Sequence, residues 1–220
     1  MPRTDTYRHK GMRRQLVEVL RHKGIQDERV LQAIGRLPRH WFLDQAFADW
    51  AYRNLPFAIG CGQTISHPHT VAFQTQLLRV SPRDKILEIG TGSGYQSAVL
   101  QMIGGRVWTI ERHHALHLES RALLEDLGFG QIRSRHGDGY LGWPTEGPFD
   151  RILVTAGADH IPRRLVDQLK WGGRMVIPVG DDSAQEMIVV DKDRYGKVRQ
   201  SRHGAFAFVP FLSGTDDIVR

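Results

Sequence analysis

The stretch Lys85-Ile86-Leu87-Glu88-Ile89-Gly90-Thr91-Gly92-Ser93-Gly94 decides the fold. Ile86–Ile89 reads as a buried strand, the glycines as a sharp turn that lets backbone approach a ligand, and Tyr95–Ile103 as the helix that follows. The next apolar run, Val107–Ile110, ends at Glu111, one strand-helix-strand unit later. That is the plan of a nucleoside-cofactor site.

Working outward, Phe149–Ala156 and Met175–Val179 are further apolar runs, with helical candidates at His113–Leu127 and Pro162–Leu169. Strands alternating with helices predict an α/β fold with a doubly wound, mostly parallel sheet. Near the end, Glu186–Asp191 and Ala205–Leu212 flank the polar turn Asp193–Lys197 and read as late strands, the first in a hairpin-like return. Upstream, Met12, Leu16, Val17 and Leu20 recur at helical spacing before Gly24. Asp27 caps a second helix with Val30, Ala33, Ile34 and Leu37 on one face, ended by Pro38. Residues 39–70 read as a long irregular segment whose aromatic residues pack on the core, and His69–Leu78 as helix again.

The length of 220 residues suits one domain: N-terminal helices and a substrate loop over 1–70, a cofactor-binding core over 71–190, and a strand and tail over 191–220. The formal charge is +6, and residues 1–24 hold seven Lys/Arg against Asp5 and Glu18. Without aromatic interleaving or zinc-like spacing, this reads as a solvated helix face, with no nucleic-acid partner expected. No apolar run approaches the roughly 20 residues of a membrane span, so no membrane role is expected. The N-terminus has no apolar core of a secretory signal, and the lone Cys61 forms no internal disulfide; both suit the cytoplasm. The eleven histidines include the pairs His67/His69 and His113/His117, but no set has metal-ligand spacing, and His113, His114 and His117 read as a surface face.

The details of the turn select the cofactor. A dinucleotide turn would place a third glycine at position 95, where Tyr95 stands. The spacing is instead Glu88-x-Gly90-x-Gly92-x-Gly94. Glu88 is placed to meet an amine-bearing ligand and Glu111 to accept both ribose hydroxyls. Asp138, in Gly137-Asp138-Gly139-Tyr140 after a third candidate strand at Ile132–Arg135, is placed to accept the adenine amine. Three acids at successive strand ends suit S-adenosylmethionine. The expected cofactor residues are Glu88, Gly90, Thr91, Gly92, Ser93, Gly94, Glu111, Asp138 and Gly139.

Gly62-Gln63-Thr64-Ile65-Ser66-x-Pro68 lies upstream of this turn, and Gly137-Asp138-Gly139-x-x-Gly142-Trp143, Val154-Thr155-Ala156 and Gly172–Gly180 lie downstream. In this combination the chain, from about Val30 to about Phe211, resembles the protein-L-isoaspartate O-methyltransferases. The resemblance implies the seven-stranded methyltransferase sheet with a late antiparallel strand. It implies a monomeric cytosolic enzyme that methylates the α-carboxylate of isoaspartyl residues in damaged proteins and peptides. It assigns Ser66 as the active-site residue, and Thr64, Ile65, Ser66, Val209 and Pro210 as substrate contacts, with Val209-Pro210 in the last strand. The chain departs from the family at His67, His69, His160 and Ala207, the last where many relatives carry Arg. Ala207 keeps open a same-fold methyltransferase with another substrate, or a non-catalytic cofactor-binding relative.

The chemistry needs little. A carboxylate is already ionised at neutral pH, so no general base is required. Ser66, a neutral hydroxyl, suits orienting an anion; the alternative, compatible with it, is that Ser66 caps the helix that starts near Pro68.

Overall fold

The computed structural model describes residues 3–181 and 184–216. Its frame is a sheet of seven strands among those residues, in the order β5-β4-β3-β6-β7-β8-β9. They are β3 (Lys85–Ile89), β4 (Arg106–Glu111), β5 (Arg133–His136), β6 (Phe149–Val154), β7 (Leu169–Gly180), β8 (Gln185–Lys192) and β9 (Val198–Phe206). The first five are parallel; β8 and β9 return antiparallel. The chain order reverses between β3 and β6, the switch point where open α/β sheets bind ligands.

The apolar side chains alternate between the two faces of the sheet. Ile86, Val107, Leu153, Val176 and Val189 meet α3 (Pro68–Leu78), α4 (Tyr95–Met102) and α5 (His114–Asp126), together with α1 (Tyr7–His22) and α2 (Glu28–Arg36). Leu87, Ile89, Ile110, Ile152, Met175 and Ile188 meet the other cover, which includes α6 (Arg163–Asp167) and Trp143. Across β7 and β8, Arg174 grips Asp191 through two bonds of 2.7 and 2.9 Å and also donates to the Leu77 carbonyl at the end of α3.

The basic arm is more than a solvated face. Arg13 is buried, donates to both Asp5 oxygens at 3.0 and 2.9 Å and reaches Tyr52 Oη at 3.0 Å, locking α1 to the segment after α2. That Arg13 bond holds the Asp5 carboxyl below its ordinary range. Arg3 pairs with Asp126 and Arg8 with Asp49.

Residues 39–70, expected to be irregular, contain two 3-10 turns (Arg39–Phe42 and Gln45–Phe47) and a hairpin of β1 (Phe57–Gly60) and β2 (Gln63–Ile65). Their anchor is Arg39, fully buried, whose Nε donates to the Ala51 carbonyl at 2.8 Å and whose guanidinium lies 5.2 Å from the Tyr95 ring centroid. Burial lowers its pKa to about 10. The loop so pinned supplies Asn54, whose Oδ1 accepts from His69 N at 2.9 Å in the first turn of α3.

The late strand also lies elsewhere than expected. Ala205–Leu212 is not one strand: β9 ends at Phe206, and Val209–Pro210 run on as a tail. The strand was missed because β9 is exposed along nearly its whole length, so its sequence carries no apolar alternation. Residues 217–220 of the expected tail lie outside the described residues.

Candidate active site

A cavity opens where the C-terminal ends of β3, β4 and β6 meet the β1–β2 hairpin and the tail. Ile89–Ser93, Ile110–His113 and Thr155–Ala156 form its floor, Gln63–Ser66 one wall, and Val209–Leu212 another. The expected residues Thr64, Ile65, Ser66, Gly90, Thr91, Gly92, Ser93, Glu111, Gly139, Val209 and Pro210 all line it.

The glycine turn is shaped by close approach. Gly90 has φ +94°, and a Cβ there would collide with the Thr155 hydroxyl. Thr155 Oγ1 lies within hydrogen-bonding reach of the Ile89 and Gly90 carbonyls, at 2.9 and 2.8 Å, and fixes the strand end. Glu111 then braces the turn from β4: Oε2 accepts from Gly92 N at 2.8 Å and Oε1 from His113 N at 3.0 Å. Thr91 and Thr109 share a hydroxyl bond of 2.7 Å beneath them.

Three expected cofactor residues stand off the wall. Glu88 is fully buried, because alternation along β3 puts it with Ile86 on the face that α4 covers. Its Oε2 accepts from the Ser97 hydroxyl, and its Oε1 has no partner within the chain. Burial pushes its pKa up to about 7. Asp138 uses both oxygens on backbone, Tyr140 N at 2.8 Å and Gly214 N at 2.9 Å. Gly94 is the left-handed residue before α4. Glu111 lines the cavity, whereas Glu88, Gly94 and Asp138 stand just behind its lining.

Ser66 sits between β2 and α3, half-buried on the cavity wall. It does not cap α3; the residue at the cap is His67, without a side-chain bond, and Asn54 takes that part. The Ser66 hydroxyl makes no hydrogen bond within the chain among the described residues, so its donor is available to the cavity. Burial, with the Arg39 charge second, holds the neighbouring His67 below the ordinary imidazole range.

Sequence reading missed several wall residues. Gln74 donates to the Val154 carbonyl at 2.9 Å, and Gln96 donates to Thr75 at 3.0 Å while its Oε1 has no partner. His113, expected on the surface, is buried with Nδ1 2.6 Å from Asp216; His117 is buried too. Only Val154-Thr155-Ala156, an apolar strand ending in a small hydroxyl residue, carried a local signal.

The tail closes the site. Gly157 N donates to the Val209 carbonyl at 2.8 Å, and Phe211 N to the Gly157 carbonyl at 2.7 Å. Phe211 stacks on Tyr140 with centroids 4.0 Å apart. Gly139 must lack a side chain, since a Cβ would lie 2.8 Å from the Phe211 ring. Beyond, Arg112 binds both Asp216 oxygens at 3.2 and 2.8 Å. The residues fit an adenosine cofactor with a charged tail: close backbone at Gly90 and Gly92, one cavity carboxylate at Glu111, and apolar walls from Ile89, Ile110 and Phe211.

Residues 11–216 match the family model described as Protein-L-isoaspartate(D-aspartate) O-methyltransferase. A protein-L-isoaspartate O-methyltransferase of Cytophaga hutchinsonii is 53% identical over 208 residues, covering 94% of each chain. One of Flavobacterium psychrophilum is 52% identical over 211 residues, covering 94% of this chain and 97% of its own. Among solved structures, a putative protein-L-isoaspartate O-methyltransferase of Plasmodium falciparum, in complex with S-adenosyl-L-homocysteine, superposes with a TM-score of 0.77 at 25% identity, over 91% of this chain and 98% of that one. A glycine turn braced by a strand-end carboxylate, a Thr-Ile-Ser wall and relatives half identical over almost the whole chain converge: this chain belongs to the protein-L-isoaspartate (D-aspartate) O-methyltransferase family.

Proposed function

We propose that this cavity carries the family's reaction, with Ser66 orienting the methyl acceptor. The chain transfers a methyl group from S-adenosylmethionine to the α-carboxylate of L-isoaspartyl residues in damaged proteins and peptides, and the ester then closes to a succinimide as the backbone amide nitrogen displaces methanol. The observation that carries the assignment of roles is that the Gln63–Ser66 wall and the Ile89–Ser93 turn face one cavity.

S-adenosylmethionine supplies a methyl group on a sulfonium, a leaving group that departs as a neutral sulfide. Gly90, Thr91, Gly92 and Ser93 hold the cofactor by close backbone approach, Glu111 accepts from its ribose, and Gly139 leaves room beside Phe211. Glu88, Gly94 and Asp138 serve that site from behind: Glu88 supports α4, Gly94 starts it, and Asp138 ties the tail. The acceptor carboxylate is ionised at neutral pH, so the protein need not remove a proton. Its task is to place one carboxylate oxygen in line with the methyl carbon, and well-placed reactants gain roughly 7–11 kcal/mol. The Ser66 hydroxyl donates to the other carboxylate oxygen, and the start of α3 adds a favourable field for an anion. Thr64, Ile65, Val209 and Pro210 enclose the peptide and exclude water.

We further propose one domain acting as a monomer in the cytoplasm, which the lone, exposed Cys61 supports because the fold needs no disulfide. No helix among the described residues is long and apolar enough to cross a membrane. A different substrate or a non-catalytic role, the readings that Ala207 opened, is not favoured by relatives half identical and named for the isoaspartyl reaction. The test uses labelled S-adenosylmethionine with an isoaspartyl peptide and its aspartyl twin. Label on the isoaspartyl form alone is expected; equal label on both, or on neither, rejects the reading.

A further inference from the structure

The far edge of the sheet is open. β9 pairs with β8 on one side and with no strand on the other among the described residues. It runs for nine residues, about 30 Å at 3.3 Å per residue. Val198–Arg202, Gly204 and Ala205 are exposed. The strand runs toward the active-site end of the sheet, since its last residue, Phe206, lies beside Gln185 at the start of β8. Three residues further on, Val209 lines the cavity.

The turn before β9 and the start of the strand carry an excess of basic charge. Between Lys192 and Phe206 the chain holds five Lys/Arg and one acid, Asp193. Asp193 is turned inward, accepting from Tyr195 N at 2.8 Å and Lys197 N at 3.0 Å in the turn between β8 and β9. Arg202 is paired with Glu186 at 3.2 Å, and Lys192 donates to the Val166 and Leu169 carbonyls. Lys197 and Arg199 have no acidic partner among the described residues. Charges on an edge strand normally keep other strands away. Here they are of one sign, so they repel a second copy of this edge and any basic segment, and attract an extended acidic one.

We propose that β9 is a docking edge for the substrate chain: an extended, acidic segment of the same damaged protein lies along it by backbone pairing, with its isoaspartyl residue in the cavity. The inference rests on the isoaspartyl reading of the active site. Charge complementarity and continuity with the cavity wall select this occupant. Extended segments add to open edges through backbone bonds, which tolerate varied side chains. A repair enzyme whose targets differ in sequence gains affinity there without demanding one sequence.

The test compares a short isoaspartyl peptide with versions extended, on either side, by twelve residues of Asp/Ser or of Ser/Gly, about 40 Å when extended and enough to run from the cavity past Arg199. In wild type the better-placed acidic extension should lower KM about five- to tenfold against its neutral twin at low salt, with kcat unchanged and the gain lost at high salt. In the K197E/R199E double variant that gain should vanish while the short peptide keeps its kcat and KM. Equal KM for acidic and neutral extensions in wild type, or a preference that survives in the variant, overturns the proposal. Fluorescence anisotropy of the labelled acidic extension alone, without isoaspartate, gives a readout independent of turnover: salt-sensitive binding lost in K197E/R199E supports the docking edge, and its absence in wild type overturns it. Single-stranded DNA that displaces this probe at lower concentration than an unlabelled acidic peptide also overturns it. Failure to methylate the short peptide would count against the isoaspartyl reading alone, since the binding arm does not depend on it.

Discussion

At Ser66 the structure separates two roles that sequence alone left joined. The helix cap passes to Asn54, leaving the hydroxyl to the cavity. Ser66→Ala should therefore lower kcat on an isoaspartyl peptide by about 10²-fold, the usual cost of losing one oriented donor to an anion, with S-adenosylhomocysteine affinity kept. Steady-state kinetics beside calorimetric binding checks this; unchanged turnover sinks the role. Glu88 gives a pH signature. Burial raises its carboxyl from 4.5 to about 7, so the folded state favours the protonated form. Its contribution to stability is complete below about pH 4.5 and fades as pH rises through about 7, by on the order of 3 kcal/mol. Glu88→Gln should remove that slope, read as urea midpoints between pH 5 and 8; parallel curves for the two proteins would refute it. The place of Glu111 beside the turn was legible from the strand-helix-strand spacing that returns it to Gly92, and Ser66 from the resemblance. The burial of His113 was not, since its partner Asp216 lies in the tail, far along the chain.

Among the elements, α3 matters most because its first turn follows Ser66 directly and anchors the Gln63–Ser66 wall. Its first turn lacks a local cap, and Asn54 reaches it from a loop held by Arg39. Asn54→Ala should cost about 1 kcal/mol, seen as a lower thermal midpoint, and should reduce kcat more than cofactor affinity. Equal losses in both would show that Asn54 acts only on global stability. The parallel core was readable from its rhythm, since each buried strand is a short apolar run between helical faces. The β1–β2 hairpin was not, because strands of four and three residues give too few positions for alternation. β9 escaped for the opposite reason: a long strand exposed on both faces has no apolar side to reveal it.

On the scale of the whole molecule, remote segments complete the site. The basic N-terminal arm, whose charges suggested a free surface, commits Arg13, Arg8 and Arg3 to internal pairs with Asp5, Asp49 and Asp126. The C-terminal tail crosses the strand ends, bonded at Gly157 after β6, Asp138 after β5, and Arg112 and His113 after β4. Few bonds hold each crossing, so the tail belongs to the parts of a fold that open most readily. Val209–Leu212 wall the cavity, so if cofactor is exchanged past this buckle its unfastening limits turnover. Hydrogen exchange should find the Val209–Gly214 amides opening well before those of β3 and β6, and slowing when S-adenosylhomocysteine is bound; exchange unchanged by the ligand would mean that traffic goes another way. The segment farthest along the chain would then set how often each damaged protein can be served.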